Sequence, residues 1–164
     1  MTVRAEDMGD SRIRIAVIGA SGYTGSDLVR LALRHPAIEI VYLTANSHAG
    51  KPMAAVFPHL GTYDLPDLIK NEDADWSKVD AVFCGLPHAT SQAVIKTLPD
   101  HLKIIDMSAD FRLRDAATYE EWYGGEHKAP ELQAEAVYGL TEHYRDDLKA
   151  ARLVACPGCY PTAV

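Results

Sequence analysis

Residues 13–25 read Ile13-Arg14-Ile15-Ala16-Val17-Ile18-Gly19-Ala20-Ser21-Gly22-Tyr23-Thr24-Gly25. A near-continuous apolar run ends in three glycines spaced three apart. A helical pattern follows, with Leu28, Leu31 and Ala32 on one face and Val29 and Leu33 widening it. Few folds accept this order: it spells a buried parallel strand, a tight turn and a helix. Each glycine has its own expected task. Gly19 takes positive φ so that the chain can reverse, Gly22 leaves room for a diphosphate against the backbone, and Gly25 lets the helix pack close to its strand. The first N–H groups of such a helix lack intrahelical partners, and with the helix dipole they favour an anion. Ser21 and Thr24 add hydroxyl donors. The spacing is G-x-x-G-x-x-G, not the commoner G-x-G-x-x-G, and a strand–helix turn without a ligand is the competing interpretation.

The same alternation continues. Ile38 to Leu43 reads as a second buried strand, after a helix that His35-Pro36 should stop. Thr44 to Pro52 is a polar, Gly/Pro-punctuated loop. Residues 53–75 are harder to assign, with one short strand expected between Tyr63 and Ile69. Asp80 to Cys84, Lys103 to Met107 and Arg152 to Ala155 read as strands. Thr90 to Leu98, capped by Thr90 and closed by Pro99, reads as a helix, as do Ala116 to Tyr123, ending at Gly124-Gly125, and Thr141 to Ala150. Glu126 to Glu135 reads as irregular. Such alternation implies an α/β, Rossmann-like, doubly wound parallel sheet. Ligands of these sheets sit beyond the strands' carboxyl ends. The stretches Gly19–Gly25, Thr44–Lys51, Gly85–His88, Ser108–Asp110 and Pro157–Cys159 all follow strands and are expected to rim one crevice.

Composition narrows the partners. The 164 residues are 48% hydrophobic and carry a net charge of -7, which argues against nucleic acid or an anionic membrane as partner. No apolar stretch is long enough to span a bilayer. Residues 1–11 are polar and acidic with no signal-peptide core and read as a loose tail. Three cysteines, an odd count, fit a reducing, cytoplasmic location.

An enzyme that prefers the unphosphorylated ribose carries Asp or Glu at the end of strand two. Here that region reads Leu43-Thr44-Ala45-Asn46-Ser47-His48, without a carboxylate, and Glu39 lies too early. Hydroxyl and amide groups accept a 2′-phosphate and Lys51 supplies charge. NADP is therefore expected over NAD, with Thr44, Ser47 and Lys51 as contacts, against the alternative of a solvated polar loop.

At the far end, Val154-Ala155-Cys156-Pro157-Gly158-Cys159-Tyr160-Pro161-Thr162 ends a strand, turns, and starts a helix for which Pro161 suits the first turn. Cys159 would then sit at a helix N-terminus, where a thiolate is favoured and the N–H groups can hold an oxyanion. A thiol nucleophile beside a hydride donor is the equipment for passing between an acyl group and an aldehyde through a thioester. Cys156 and Cys159 are formally a C-x-x-C, so a dithiol or zinc role is the alternative, although a zinc site would need two further ligands. Cys84, inside an apolar run, reads as a buried inert thiol.

With both ends read, the chain resembles the N-acetyl-γ-glutamyl-phosphate reductases. The matching stretches are Gly19-Ala-Ser-Gly-Tyr-Thr-Gly25, Leu43-Thr44, Gly85-Leu-Pro-His-Ala-Thr-Ser91, Asp106-Met-Ser-Ala-Asp-Phe-Arg-Leu113, Tyr138-Gly-Leu140 and Pro157-Gly-Cys-Tyr-Pro-Thr162. The glycine turn alone also fits aspartate-semialdehyde dehydrogenase. The resemblance implies that Cys159 attacks an acyl phosphate, expels phosphate, and is reduced from the thioester by NADPH to release a semialdehyde in arginine biosynthesis. It adds Tyr23 and Pro87 to the expected cofactor contacts. His88 is expected either to contact cofactor or orient a loop, or to be a structural histidine; Ser108 and Asp110 are expected to line the nicotinamide pocket, with an Asp110–Arg112 clasp as the plainer alternative. The resemblance implies a small-molecule substrate and a homo-oligomer for the full-length protein.

Members of that family continue into a second domain carrying the acid–base histidine. The expected organisation is a tail over 1–11, an NADP-binding domain over 12–155, and the start of a catalytic domain over 156–164, truncated before the substrate and dimerisation domain. Turnover by this chain alone is expected to be weak or absent. A binding module without catalysis, or a thiol redox protein using Cys156 and Cys159, are the other classes.

Overall fold

The computed structural model describes residues 12–163, so the expected tail over 1–11 lies outside the described residues. The described residues form two compact units that divide between Val82 and Phe83. Across them seven strands alternate with helices as in a Rossmann-like, parallel α/β fold.

The first unit contains β1 (Ile13–Ile18), α1 (Tyr23–Ala32), β2 (Ile38–Thr44), β3 (Leu68–Ile69) and the first half of β4 (Ala81–Cys84). β1 pairs in parallel with β2, from Ile13 opposite Ile38 to Ile18 opposite Thr44, with a register shift between Ile15 and Ala16. β2 pairs in parallel with β3, Leu43 opposite Leu68. On the other side of β1 the chain leading into β4 is fixed by Asp80. Its backbone N–H donates to the Arg14 carbonyl (2.8 Å), and its carboxylate accepts from the Arg14 backbone N–H (2.9 Å) and guanidinium (2.6 and 3.1 Å). Ile15 to Ile18 are fully buried, the state that a near-continuous apolar run demands of a central parallel strand.

Two details differ from the periodicity. α1 buries Gly25, Ser26, Val29 and Ala32, whereas Leu31, expected inside, is 56% exposed. The helix is seated by its smallest residues, because close approach to β1 selects the stripe containing Gly25. The strand expected between Tyr63 and Ile69 shrinks to Leu68–Ile69, since Pro66 cannot donate to a ladder. Residues 53–78 otherwise hold four single 3-10 turns, pinned to the core by Met53 and Leu60.

The second unit holds the remainder of β4, then α2 (Ser91–Ile95), β5 (Lys103–Asp106), α3 (Ala116–Tyr123), α4 (Pro130–Glu135), β6 (Val137–Tyr138), α5 (Thr141–Ala150), β7 (Leu153–Ala155) and α6 (Cys159–Ala163). The strand order is β4-β5-β7-β6. β7 is parallel to β5, with Ile104 opposite Leu153, and to β6, with Val137 opposite Val154. α3 stops at Gly124, whose φ of 76° is the left-handed cap that glycine supplies.

Here too the structure corrects the sequence. Residues 126–135 are not all irregular, because Pro130 at the first helical turn opens α4. α2 ends at Ile95, short of Pro99, and Thr90 is its N-cap residue but makes no side-chain capping bond. Its hydroxyl donates to the Pro87 carbonyl instead (2.6 Å).

Candidate functional site

In the first unit the glycine turn is built by backbone. The N–H groups of Gly19 and Ala20 both donate to the Thr44 carbonyl (3.1 and 2.9 Å), which fixes the turn to the end of β2. Gly19 has φ 77°, the positive value that the reversal needs. A Cβ on Gly25 would lie 2.6 Å from the Gly19 carbonyl oxygen and 2.8 Å from Ala20 Cα, so close helix packing forbids any side chain there. Gly22 differs. Its φ of -87° suits any residue, and a Cβ would meet only the Gly19 oxygen at 3.4 Å. Neither the fold nor the backbone angle requires glycine at 22.

Gly22 is the N-cap of α1, with no side-chain cap and no acidic residue in the first turn. The first N–H groups of this ten-residue helix are thus left for an external acceptor. Ser21 is half-buried, and Tyr23 and Thr24 are exposed. Tyr23 packs edge-on against Phe57, with ring centroids 6.1 Å apart.

The loop after β2 is tied to β3. Ala45 N–H donates to the Ile69 carbonyl, Gly50 N–H to the Leu68 carbonyl, and Leu68 N–H to the Lys51 carbonyl. Ser47 and Lys51 are exposed on this loop, and the Ser47 hydroxyl lies 3.0 Å from His48 Nδ1. The Thr44 side chain is buried, and its hydroxyl donates to Asn71 Oδ1 at 2.6 Å. Among the described residues Thr44 therefore acts on the turn through its carbonyl.

The second unit carries the cysteine. A pocket of about 770 Å³ is lined by Arg112, Leu113, Arg114, Tyr123, Tyr138, Tyr144, Gly158, Cys159, Tyr160 and Pro161. Cys159 is exposed and is the first residue of α6. Arg112 holds the loop before it, donating from Nε to the Cys156 carbonyl (2.7 Å). Tyr144 occupies a kink in α5, where φ is -118°, and its ring meets Tyr138 at 87°.

The other cysteines have different settings. Burial, with the Asp106 charge second, pushes the Cys84 thiol up to about 12, which keeps it protonated and inert. Cys156 is raised by the same two causes. All three thiols are free, and among the described residues no group of three or more His, Cys, Asp or Glu is placed to hold a metal.

The second unit also holds a polar network that periodicity did not reveal. Asp110 is fully buried and accepts from Ala89 N–H (2.8 Å), the Ser91 hydroxyl (2.6 Å) and the Tyr119 hydroxyl (3.0 Å). His88 Nδ1 lies 2.8 Å away. Burial alone would raise Asp110, but these hydrogen bonds and the histidine together hold it below the ordinary carboxylate range. Ala89 sits at φ 65°, a costly value for alanine, and the Asp110 bond to its N–H fixes it there. Asp110 and Arg112 do not form the expected clasp: Asp110 holds the turn after Pro87, while Arg112 holds the cysteine loop. His127 closes the network, with Nδ1 accepting from Ala129 N–H and Nε2 then donating to the Asp110 carbonyl. Arg114 and the four tyrosines were also missed. The one available signal was the charge-bearing Asp-Phe-Arg-Leu-Arg run after β5.

The sequence pattern of the "Semialdehyde dehydrogenase, NAD binding domain" matches residues 14–151. Among curated relatives, a "Probable N-acetyl-gamma-glutamyl-phosphate reductase, chloroplastic" of Oryza sativa subsp. japonica is 61% identical over 93% of this chain and 37% of its own length. An "N-acetyl-gamma-glutamyl-phosphate reductase" of Cereibacter sphaeroides is 64% identical over 88% of this chain and 42% of its own. The chain thus spans about two-fifths of the length of the relatives it matches. Among solved structures, aspartate semialdehyde dehydrogenase with NADP from Candida albicans superposes with a TM-score of 0.60 at 19% identity, over 89% of this chain and 42% of that one. By the extent of the match over residues 14–151, the chain belongs to the semialdehyde dehydrogenase family and carries its NAD-binding domain.

Proposed function

We propose that this chain is the nucleotide-binding and nucleophile-bearing part of an NADPH-dependent N-acetyl-γ-glutamyl-phosphate reductase. One observation carries the proposal. The thiol of Cys159 is exposed in a pocket that also presents Arg112 and Arg114, a cationic setting suited to an acyl phosphate. Identities of 61% and 64% to proteins of that name support it.

The cofactor would be held by the backbone of Gly19, Gly22 and Gly25 and by Ser21, Tyr23 and Thr24 at the start of α1. Ser47 and Lys51 would meet the 2′-phosphate, with Thr44 bracing the turn. When bound, NADPH supplies the hydride. The remaining chemistry belongs to the chain. Cys159 attacks the acyl carbon as the thiolate and becomes a thioester, and the C–O bond to phosphate breaks. Arg112 and Arg114 favour the departing dianion, and the lining tyrosines limit water at the thioester.

In full-length protein, semialdehyde, NADP and phosphate should yield NADPH only when all three are present. Turnover that ignores phosphate overturns the acyl-phosphate assignment, and tighter binding of NADH than NADPH overturns the cofactor assignment.

A further inference from the structure

In the second unit, three oxygen–oxygen contacts form a chain between two buried carboxyl groups. Asp106 Oδ2 lies 2.7 Å from Ser108 Oγ, Ser108 Oγ lies 2.8 Å from Ser91 Oγ, and Ser91 Oγ lies 2.6 Å from Asp110 Oδ2. Asp106, Ser108, Ser91 and Asp110 are all buried. Each contact needs one proton, and a hydroxyl supplies only one. The two serines fill two of the three contacts. With both carboxyl groups ionised, some pair of oxygens would face each other through lone pairs, a costly arrangement away from water.

The surroundings show which end holds the third proton. Asp110 receives Ala89 N–H, the Tyr119 hydroxyl and His88 on its other oxygen, so it is the acceptor end. Beyond the chain Asp106 receives the Ser108 N–H at 3.2 Å. We infer that Asp106 holds a proton on Oδ2 under conditions where a surface aspartate has lost its own, and so completes a directed chain from Asp106 through Ser108 and Ser91 to Asp110. Every valence then closes. Ser108 Oγ accepts from Asp106 and from the Asp110 N–H (3.0 Å) and donates to Ser91, which donates to Asp110.

The neighbours agree. Asp106 faces Cys84 of β4, Asp110 and Arg112 of the loop after β5, and Cys156 after β7. Arg112 is the one cation among them that favours the carboxylate, and its Nε is engaged by the Cys156 carbonyl. Burial outweighs it and pushes Asp106 up to about 6, with Asp110 acting in the same direction. The proton is a positioning device. It ties the turn around Ala89 to the loop bearing Arg112, and the Asp106 carbonyl accepts from Cys156 N–H (2.8 Å) at the foot of the cysteine loop.

A carbon-13 titration of the labelled aspartate carboxyl groups tests this directly. The expected Asp106 midpoint is at or above about 6. Ser91→Ala removes the contact that calls for the extra proton, so the midpoint should fall. Asp106→Asn keeps a donor toward Ser108 and an acceptor for its N–H, and should fold. A folded-state value raised in this way gives stability that is full below the unfolded midpoint near 4 and is lost as pH rises through the folded one. Between those values the unfolding constant of the wild type should therefore rise roughly 100-fold relative to Asp106→Asn. An Asp106 midpoint in the ordinary aspartate range overturns the inference, as does a raised midpoint that Ser91→Ala leaves unmoved. Both measurements stand even if Asp106→Asn fails to fold.

Discussion

The glycine turn and the cysteine pocket are built by opposite means. Around the turn the buried side chains are almost all apolar, with Ser26 and Thr44 the buried polar residues described in that unit. Its shape comes from backbone: a carbonyl accepting twice, a positive φ and a missing Cβ. The unit bearing Cys159 buries Ser91, Gln92, Asp106, Ser108, Asp110, His127 and Gln133. Side-chain hydrogen bonds at specified distances hold its loops. A backbone-built site tolerates changes to its side chains but not to its glycines. A network-built site fails when one buried acceptor loses its charge.

Five substitutions break or sharpen this contrast. The largest effect is expected at Cys159→Ser, which should lower acyl-phosphate reduction in full-length protein by about 10³-fold or more while leaving NADPH affinity unchanged. Steady-state rates and a cofactor titration check both halves.

Next is Asp110→Asn. It removes a buried charge that takes Ala89 N–H, two hydroxyls and His88, and should destabilise by about 3 kcal/mol in denaturant unfolding. A loss below about 1 kcal/mol would show that the network is not what holds these loops.

The paired glycines then divide fold from ligand. Gly25→Ala should destabilise by about 2 kcal/mol, because its Cβ would press on Gly19 and Ala20 backbone. Gly22→Ala should leave the melting temperature nearly unchanged and weaken NADPH binding roughly tenfold or more. Equal stability losses in the two variants would erase the distinction.

The smallest effect is at Lys51→Ala, an exposed side chain. NADPH affinity should fall by about 1 kcal/mol with NADH affinity and stability unchanged. An equal fall for both cofactors would remove Lys51 from the 2′-phosphate.

Much of the first region was legible in the chain itself. A continuous apolar run and three glycines carry their meaning locally, so β1, the turn and α1 follow from the order of residues 13–32. The match over residues 14–151 bears out the semialdehyde dehydrogenase family, and the strand pattern bears out the α/β class. Which face of α1 turns inward did not follow, because Leu28 and Leu31 outrank glycine in hydrophobicity while contact distance favours Gly25. In the other region, sequence singled out Cys159, Asp110 and Arg112 and mispaired the last two. Nothing local says that Asp110 meets Ala89 and Ser91 while Arg112 meets Cys156, across 21, 19 and 44 residues of chain.

Sequence alone determined where strands end and which reactive atoms follow them, since apolar runs, glycines and thiols act through their own chemistry. Tertiary structure decided which buried polar groups meet. A hydrogen bond depends on angstrom-scale placement of atoms remote along the chain, and only packing supplies that.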